Sequence, residues 1–411
     1  MNYVEESEVN TKLSYAQKSV ITYLFLSVFL PAGGFLNINF KLILLIISVF
    51  FIVFERKGVF LYKFLKVIYF PILMILVFIF YSIILGNEIP FILSQSIQII
   101  VFFLVLLLPL AVFNKEELVR KVIPVIVFGG VSVAIFKICM LLYSVISGQP
   151  VTAVVMLVRD FFNVNIMSYD IDDSYLGRIN LPGDLLLNFS IFFIISEIIK
   201  IGFKPKKRNL LYLIVLLISA LLTMSRYQWA AVVFSMMLPY FMFINNRKSL
   251  AFLFLFAFAA AITLTIPSVQ DVIMSRFDSD ANSASDIIRI LQQNKIEGQI
   301  NKSLFFGSGL GSYVKDYIRS PTQPYSYELQ LLALIMQLGI VGFFVFFMYI
   351  FNFFFKHTKN ASFRYLICAF ILMGLWISGA IFNPTLYSSC GGAVLLVVCI
   401  SSNHPYFKRR F

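Results

Sequence analysis

Val67–Leu85, VIYFPILMILVFIFYSIIL, runs for nineteen residues without a charge. A run of that kind is long enough to cross about 30 Å of hydrocarbon as a helix. Ile97–Phe113 and Leu250–Ile266 are windows of the same kind, long enough or nearly so. Hydrophobic residues make up 60% of the 411, with 47 Phe and only 13% charged residues, which describes a polytopic membrane protein and excludes a soluble domain. No alternating barrel-strand pattern is present, so helices are the spanning element. Cys139, Cys368, Cys390 and Cys399 lie in or beside apolar spans, where they read as packing residues and not as a zinc site or a disulfide framework.

The pattern predicts about twelve transmembrane helices, near 20–36, 41–54, 67–86, 95–113, 121–147, 184–200, 209–224, 227–245, 249–266, 328–355, 363–382 and 386–402. The first is broken by Pro31, Gly33 and Gly34, and the second is short. Met1 to Ser19 carries Glu5, Glu6 and Glu8, unlike the basic leading region of a cleavable signal peptide. The whole chain, 1–411, is expected to form one integral membrane domain.

Charge sets the orientation. With the N-terminus inside, the inner segments hold 22 of the 33 Lys and Arg residues, and the short outer loops almost none. The positive-inside rule therefore predicts cytoplasmic N- and C-termini. It leaves two longer extracytoplasmic segments, a smaller loop at 148–183 and a large one at 267–327. The net charge of +13 follows from this arrangement. The basic clusters face anionic membrane lipids, so the charge is no argument for nucleic acid.

The large loop is close to neutral, and its middle reads as a helix capped at Ser285–Asp286. Ile287, Ile288, Ile290, Leu291, Ile296 and Ile300 give that helix an amphipathic spacing. Phe305 to Tyr313, FFGSGLGSY, is a turn punctuated by Gly307, Gly309 and Gly311 that lets backbone come close to a ligand or another helix. Its spacing does not fit a P-loop, so turn glycines are the plainer reading. The smaller loop adds Arg159, Arg178, Asp170, Asp172 and Asp173 without an EF-hand pattern, which reads as a solvated segment. Intramembrane charges are nearly absent from the pattern, and Lys137, deep in its span, is left without a role. The two outer segments are expected to cover one outward-facing cavity.

Leu221 to Ala230, LLTMSRYQWA, is similar to the Ser-Arg signature of the O-antigen polymerase and O-antigen ligase family. FFGSGLGSY resembles that family's glycine-rich loop motif. Tyr327 to Gly342, YELQLLALIMQLGIVG, resembles the helix that closes its large outer loop, and Arg289 matches the position of a loop arginine. By motif the resemblance covers about Leu210 to Gly342, and by topology the whole chain. It implies a GT-C-like architecture with a large helical periplasmic loop in the cell inner membrane. The activity implied is that of a metal-independent glycosyltransferase acting on undecaprenyl-pyrophosphate-linked glycans, with no cofactor.

A pyrophosphate leaving group needs fixed positive charge, which arginine supplies through planar, bidentate donors. Arg226 and Arg289 are the expected ligands, with Arg276 or Arg319 assisting. The attacking hydroxyl needs a general base. Ligases of the family carry a histidine at the start of the span after the large loop, whereas His357 and His404 are both placed inside here. Glu328 falls at or beside that position, as base or as an acceptor-orienting group, and this favours the polymerase branch. The residues alone leave other readings open: Arg226 snorkelling to the interface, Arg289 paired with Asp286, Glu328 favouring its helix N-terminus. A ligase using a lipid core and a repeat-unit flippase remain the alternatives, and a chain-length-regulating partner stays open.

Overall fold

The computed structural model describes residues 13–30, 39–162, 167–170, 177–201, 207–243, 279–405 and 407. The described residues are predominantly helical: α1 Tyr15–Phe29, α2 Phe40–Phe54, α3 Val59–Ile84, α4 Ile89–Val112, α5 Lys115–Ser147, α6 Val151–Phe162, α7 Leu185–Ile201, α8 Lys207–Leu222, α9 Arg226–Met242, α10 Ser279–Ile300, α11 Gln330–Thr358, α12 Phe363–Gly379 and α13 Ser389–Ile400. Helix α5 runs through a π-helical turn at Leu118–Val122. Among the described residues, five segments are long and apolar enough to cross a membrane: Val59–Ile84, Ile89–Val112, Lys115–Ser147, Pro182–Lys200 and Gln330–Thr358. The chain has the make-up of an all-α membrane protein. The expected span at 249–266 lies outside the described residues; each of the others falls on a helix.

Two boundaries differ from the sequence expectation for local reasons. Helix α1 starts at Tyr15, because Ser14 and Gln17 form a capping box, and it ends at Phe29. Helix α10 starts at Ser279 and not at Ser285–Asp286. Its expected apolar face is also corrected: Ile296 and Ile300 are buried, but Ile287, Ile288, Ile290 and Leu291 are exposed. The buried face of α10 is completed by Gln292, whose Oε1 accepts from the Leu329 amide at 3.0 Å. The described parts of the smaller loop form a helix and a two-stranded ribbon. Val151, Val154 and Val155 of α6 pack with Val133, Met140, Ile179 and Leu181, beside an antiparallel ribbon of β1 (Met167–Asp170) and β2 (Gly177–Asn180) in which Met167 pairs with Asn180.

At the centre is α13, in which every residue from Ser389 to Ile400 is buried. A helix apolar all round belongs inside a bundle. A Cβ at Gly392 would lie 2.5 Å from the Phe102 carbonyl oxygen, so this glycine lets α13 and α4 meet backbone to backbone. Phe102 in turn stacks on Trp376 of α12, with ring centroids 6.2 Å apart and planes 3° from parallel. By contrast α2 and α3 present Ile46, Phe50, Tyr69, Leu73 and Phe80 outward, as lipid-facing helices do.

Helix α11 is broken. Gly339 has φ 68° and ψ 175°, conformations open to glycine alone, so the ladder of helical hydrogen bonds is interrupted inside an apolar segment. Residues 304–309 repair it. Ser308 and Gly309 amides donate to the Met336 and Gln337 carbonyls at 2.8 and 2.9 Å. The Ile340 and Val341 amides donate to the carbonyls of Leu304 and Phe305 at 2.9 and 3.1 Å. A Cβ on Gly307, itself at φ 72°, would come within 2.5 Å of the Gln337 carbonyl oxygen. Gly307→Ala should therefore lower the thermal midpoint of the purified protein, with a backbone-strain cost of about 1–3 kcal/mol before the overlap is added. Gly298→Ala, in α10 with nothing near the added carbon, should raise stability by about 0.5–1 kcal/mol. Equal midpoints for the two variants would contradict the packed-loop account.

Candidate functional site

The glycine loop is held from three sides. Asn87 Nδ2 donates to the carbonyls of Ser308 and Leu310 at 2.8 and 3.1 Å, and the Leu310 amide donates to Ser82 Oγ at 2.6 Å. The Gly311 amide donates to Gln95 Oε1 at 2.6 Å. Gln95 Nε2 donates to Gln337 Oε1 at 2.5 Å, and Gln337 Nε2 donates to the Ser312 and Tyr325 carbonyls at 3.2 and 3.1 Å. Buried polar groups are thus paired around the break, as an apolar setting demands. Gly307, Gly309 and Gly311 all have positive φ, and all three abut protein. Their role here is close packing of loop against helix, in keeping with the turn-glycine reading.

This frame sets the position of Glu328, two residues before α11. Its carboxylate lies between two of the expected arginines: Arg289 Nε is 3.3 Å from one oxygen, and Arg319 pairs with the other. All three side chains are partly exposed. Arg289 thus reaches a partner 39 residues away in sequence. The Arg289 guanidinium also sits 6.0 Å from the centre of the Phe382 ring. Phe382 packs on Tyr227, centroids 5.4 Å apart, and the Tyr227 hydroxyl donates to the Leu375 carbonyl.

Arg226 is the first residue of α9 and is exposed. The turn before it is tight: Met224 adopts φ 46°, and Ser225 caps α9 by accepting from the Gln228 amide at 3.4 Å. Arg226 thus stands next in sequence to Tyr227, whose ring bears on the same Phe382 that Arg289 faces. Arg289, Arg319 and Glu328 are brought into direct contact; Arg226 is placed by its neighbour, and Arg276 lies outside the described residues.

Around the cluster, Lys295 pairs with Asp316, and that ion pair holds the exposed Asp316 carboxyl below its ordinary range. Burial pushes the Tyr327 hydroxyl up to about 12, so it stays neutral while accepting from the Val314 amide at 2.8 Å.

The expectation that intramembrane charge is nearly absent is corrected. Lys137 Nζ lies 2.9 Å from Asp184 Oδ1 and 3.3 Å from the Ser219 carbonyl, and both residues are buried. Asp184 Oδ2 accepts from the Leu181 amide at 2.8 Å. Gln228 Nε2 donates to the Asp184 carbonyl and to Asn188 Oδ1, each at 3.0 Å. The pair therefore ties α5, α7, α8 and α9 together just behind Arg226. Each charge sits at or within an apolar run, and the separation of 47 residues hides the pairing from the sequence.

Residues 211–347 match the O-antigen ligase family model. That stretch takes in most of α8, all of α9 and α10, the glycine loop, and α11 to beyond its break. Arg226, Arg289, Arg319, Glu328 and Gly339 all lie inside it. The match covers 137 of the 411 residues and is a likeness to the O-antigen ligase family over that stretch. No curated protein and no solved structure is a match for the chain.

Lys137→Met leaves Asp184 buried without its cation and should destabilise the solubilised protein by about 3–5 kcal/mol in a denaturant titration. Adding Asp184→Asn should recover part of that loss. A single variant as stable as the parent would show that the pair contributes nothing to the frame.

Proposed function

We propose that this protein is a polymerase of undecaprenyl-pyrophosphate-linked oligosaccharide repeat units, working at the outer face of the cytoplasmic membrane. The observation that carries this is the Glu328 carboxylate set between Arg289 and Arg319 at the mouth of the broken helix α11. His357 lies in the last turn of α11, roughly 40 Å along the axis from Glu328, and its carbonyl accepts from Ser402 near His404. Glu328 is then the titratable base beside the arginines, in place of the histidine that ligases of the resembling family carry.

The chemistry follows. A hydroxyl of the acceptor sugar attacks the anomeric carbon of the growing chain, and the bond from that carbon to the pyrophosphate oxygen breaks. Glu328 takes the hydroxyl proton. The departing pyrophosphate takes the bonding electron pair and gains one further negative charge, which Arg289 and Arg319 meet by turning from the carboxylate, with Arg226 beside them. Arg276, on the same loop, is an assistant in this scheme. The positive-inside pattern supports placing the site on the outer face, with N- and C-termini in the cytoplasm. No metal enters the proposed step.

Deleting the gene should leave single repeat units on the final lipid in place of long chains. Arg226→Ala, Arg289→Ala and Glu328→Gln should each shorten the polymer, with Glu328→Gln lowering the rate about 10²–10⁴-fold if it serves as base. Gel profiles of extracted glycan at matched protein level check this. Full-length polymer from all three would remove the support for the site. Loss of single-unit products as well would point to a ligase or a flippase.

A further inference from the structure

A cavity of about 490 Å³ opens beside the Glu328 cluster, within the size range of small-ligand sites. Four helical segments begin at its wall. Asn39, Ser225 and Ser388 are the N-caps of α2, α9 and α13, and Pro182 opens the turn into α7. Helix N-termini carry partial positive charge, and here they converge on one space. Lys41, in the first turn of α2, lies on the same wall and donates to Ser389 Oγ at 3.3 Å. Among the described residues no carboxylate pairs with it. The carboxylate on that wall, Asp184, is already held by Lys137. Tyr23, fully buried, lines the same wall with its hydroxyl close to Ser27 of its own helix. The cavity is therefore positive and rich in donors, and its acidic group is taken. It can hold an anion and has no base with which to transform one.

We propose that this cavity holds the diphosphate of the acceptor, the second lipid-linked glycan. The inference rests on the polymerase reading. Two diphosphate-linked glycans meet in that reaction, and only the donor loses its diphosphate. The intact one needs static neutralisation, which Lys41 and the converging helix ends supply. Gln323 and Ser326 also line the cavity, just ahead of Glu328, so a glycan rising from it is led toward the arginine–carboxylate cluster.

The test is the stoichiometry of undecaprenyl diphosphate on the full-length protein in phosphatidylcholine nanodiscs, read by native mass spectrometry. The parent should bind two equivalents. Lys41→Gln should weaken one of them at least tenfold, and Lys41→Arg should retain both. Where Lys41→Gln fails to fold, Asn383→Asp, which sets a carboxylate on the same wall, should remove the same equivalent. One equivalent on the parent, or two of unchanged affinity on Lys41→Gln, would overturn the proposal. So would a Lys41-dependent lipid that binds equally well as the monophosphate. Polymer formation is measured on the same preparation. Two equivalents without polymer would fail the polymerase reading and leave the anion site standing; polymer with a single equivalent would fail the site alone.

Discussion

The backbone pairing between residues 304–309 and the break at Gly339 is the constraint on which the rest of the site depends. In an apolar setting every unpaired amide or carbonyl costs several kcal/mol, so a helix broken there persists only when something else satisfies it. The loop does so with four backbone hydrogen bonds, and glycine at 307 and 339 is what lets the two chains come that close. Gln337, in the turn before the break, then reaches the Ser312 and Tyr325 carbonyls and so binds the remainder of the loop. Glu328 and Arg319 are fixed as a consequence, because both lie on the segment that these contacts anchor.

The electrostatics divide into two layers. Arg289, Arg319 and Glu328 are partly exposed, and such pairs contribute little to stability while leaving their charges available to a ligand. Lys137 and Asp184 are buried, hydrogen-bonded on all sides that matter, and serve the frame. Gln228 joins the layers, since it binds the Asp184 carbonyl from the first turn of α9, two residues from Arg226. The ribbon contributes as well: with its amide oriented to satisfy both neighbours, Asn180 donates to the Thr223 carbonyl at 3.0 Å and accepts from Arg178. The tight turn at Thr223–Ser225 is thereby braced from the smaller loop.

Much of the fold was legible because a helix in lipid must be apolar over a set length, and Val67–Leu85 has no other reading. The Arg289–Glu328 meeting was legible only in part. Both residues could be singled out, but local spacing favoured Asp286 as the partner of Arg289, and the contact across 39 residues is a product of how α10 lies on α11. The exposure of Ile287, Ile288, Ile290 and Leu291 was not legible at all, since apolar spacing on a helix says nothing of whether its partner is protein or lipid. Lys41 escaped for a related reason: a lysine at the first position of a short apolar run looks like a boundary residue. The convergence of helix starts that gives it a setting joins segments from Asn39 to Ser388, too far apart for any pattern in the chain.

The burial of α13 carries a consequence for how the molecule is made. At twelve residues it is about 18 Å long, too short to bridge a bilayer unaided. Yet it supplies the middle of the bundle and is synthesised after every other described helix. The long helices α3, α4, α5 and α11 can enter lipid on their own account, and the assembly they form must wait with its centre unfilled. Its seating then amounts to placing a short plug among helices that precede it in the chain. Until that plug is seated, the wall that brings Ser388 and Ser389 to Lys41 does not exist.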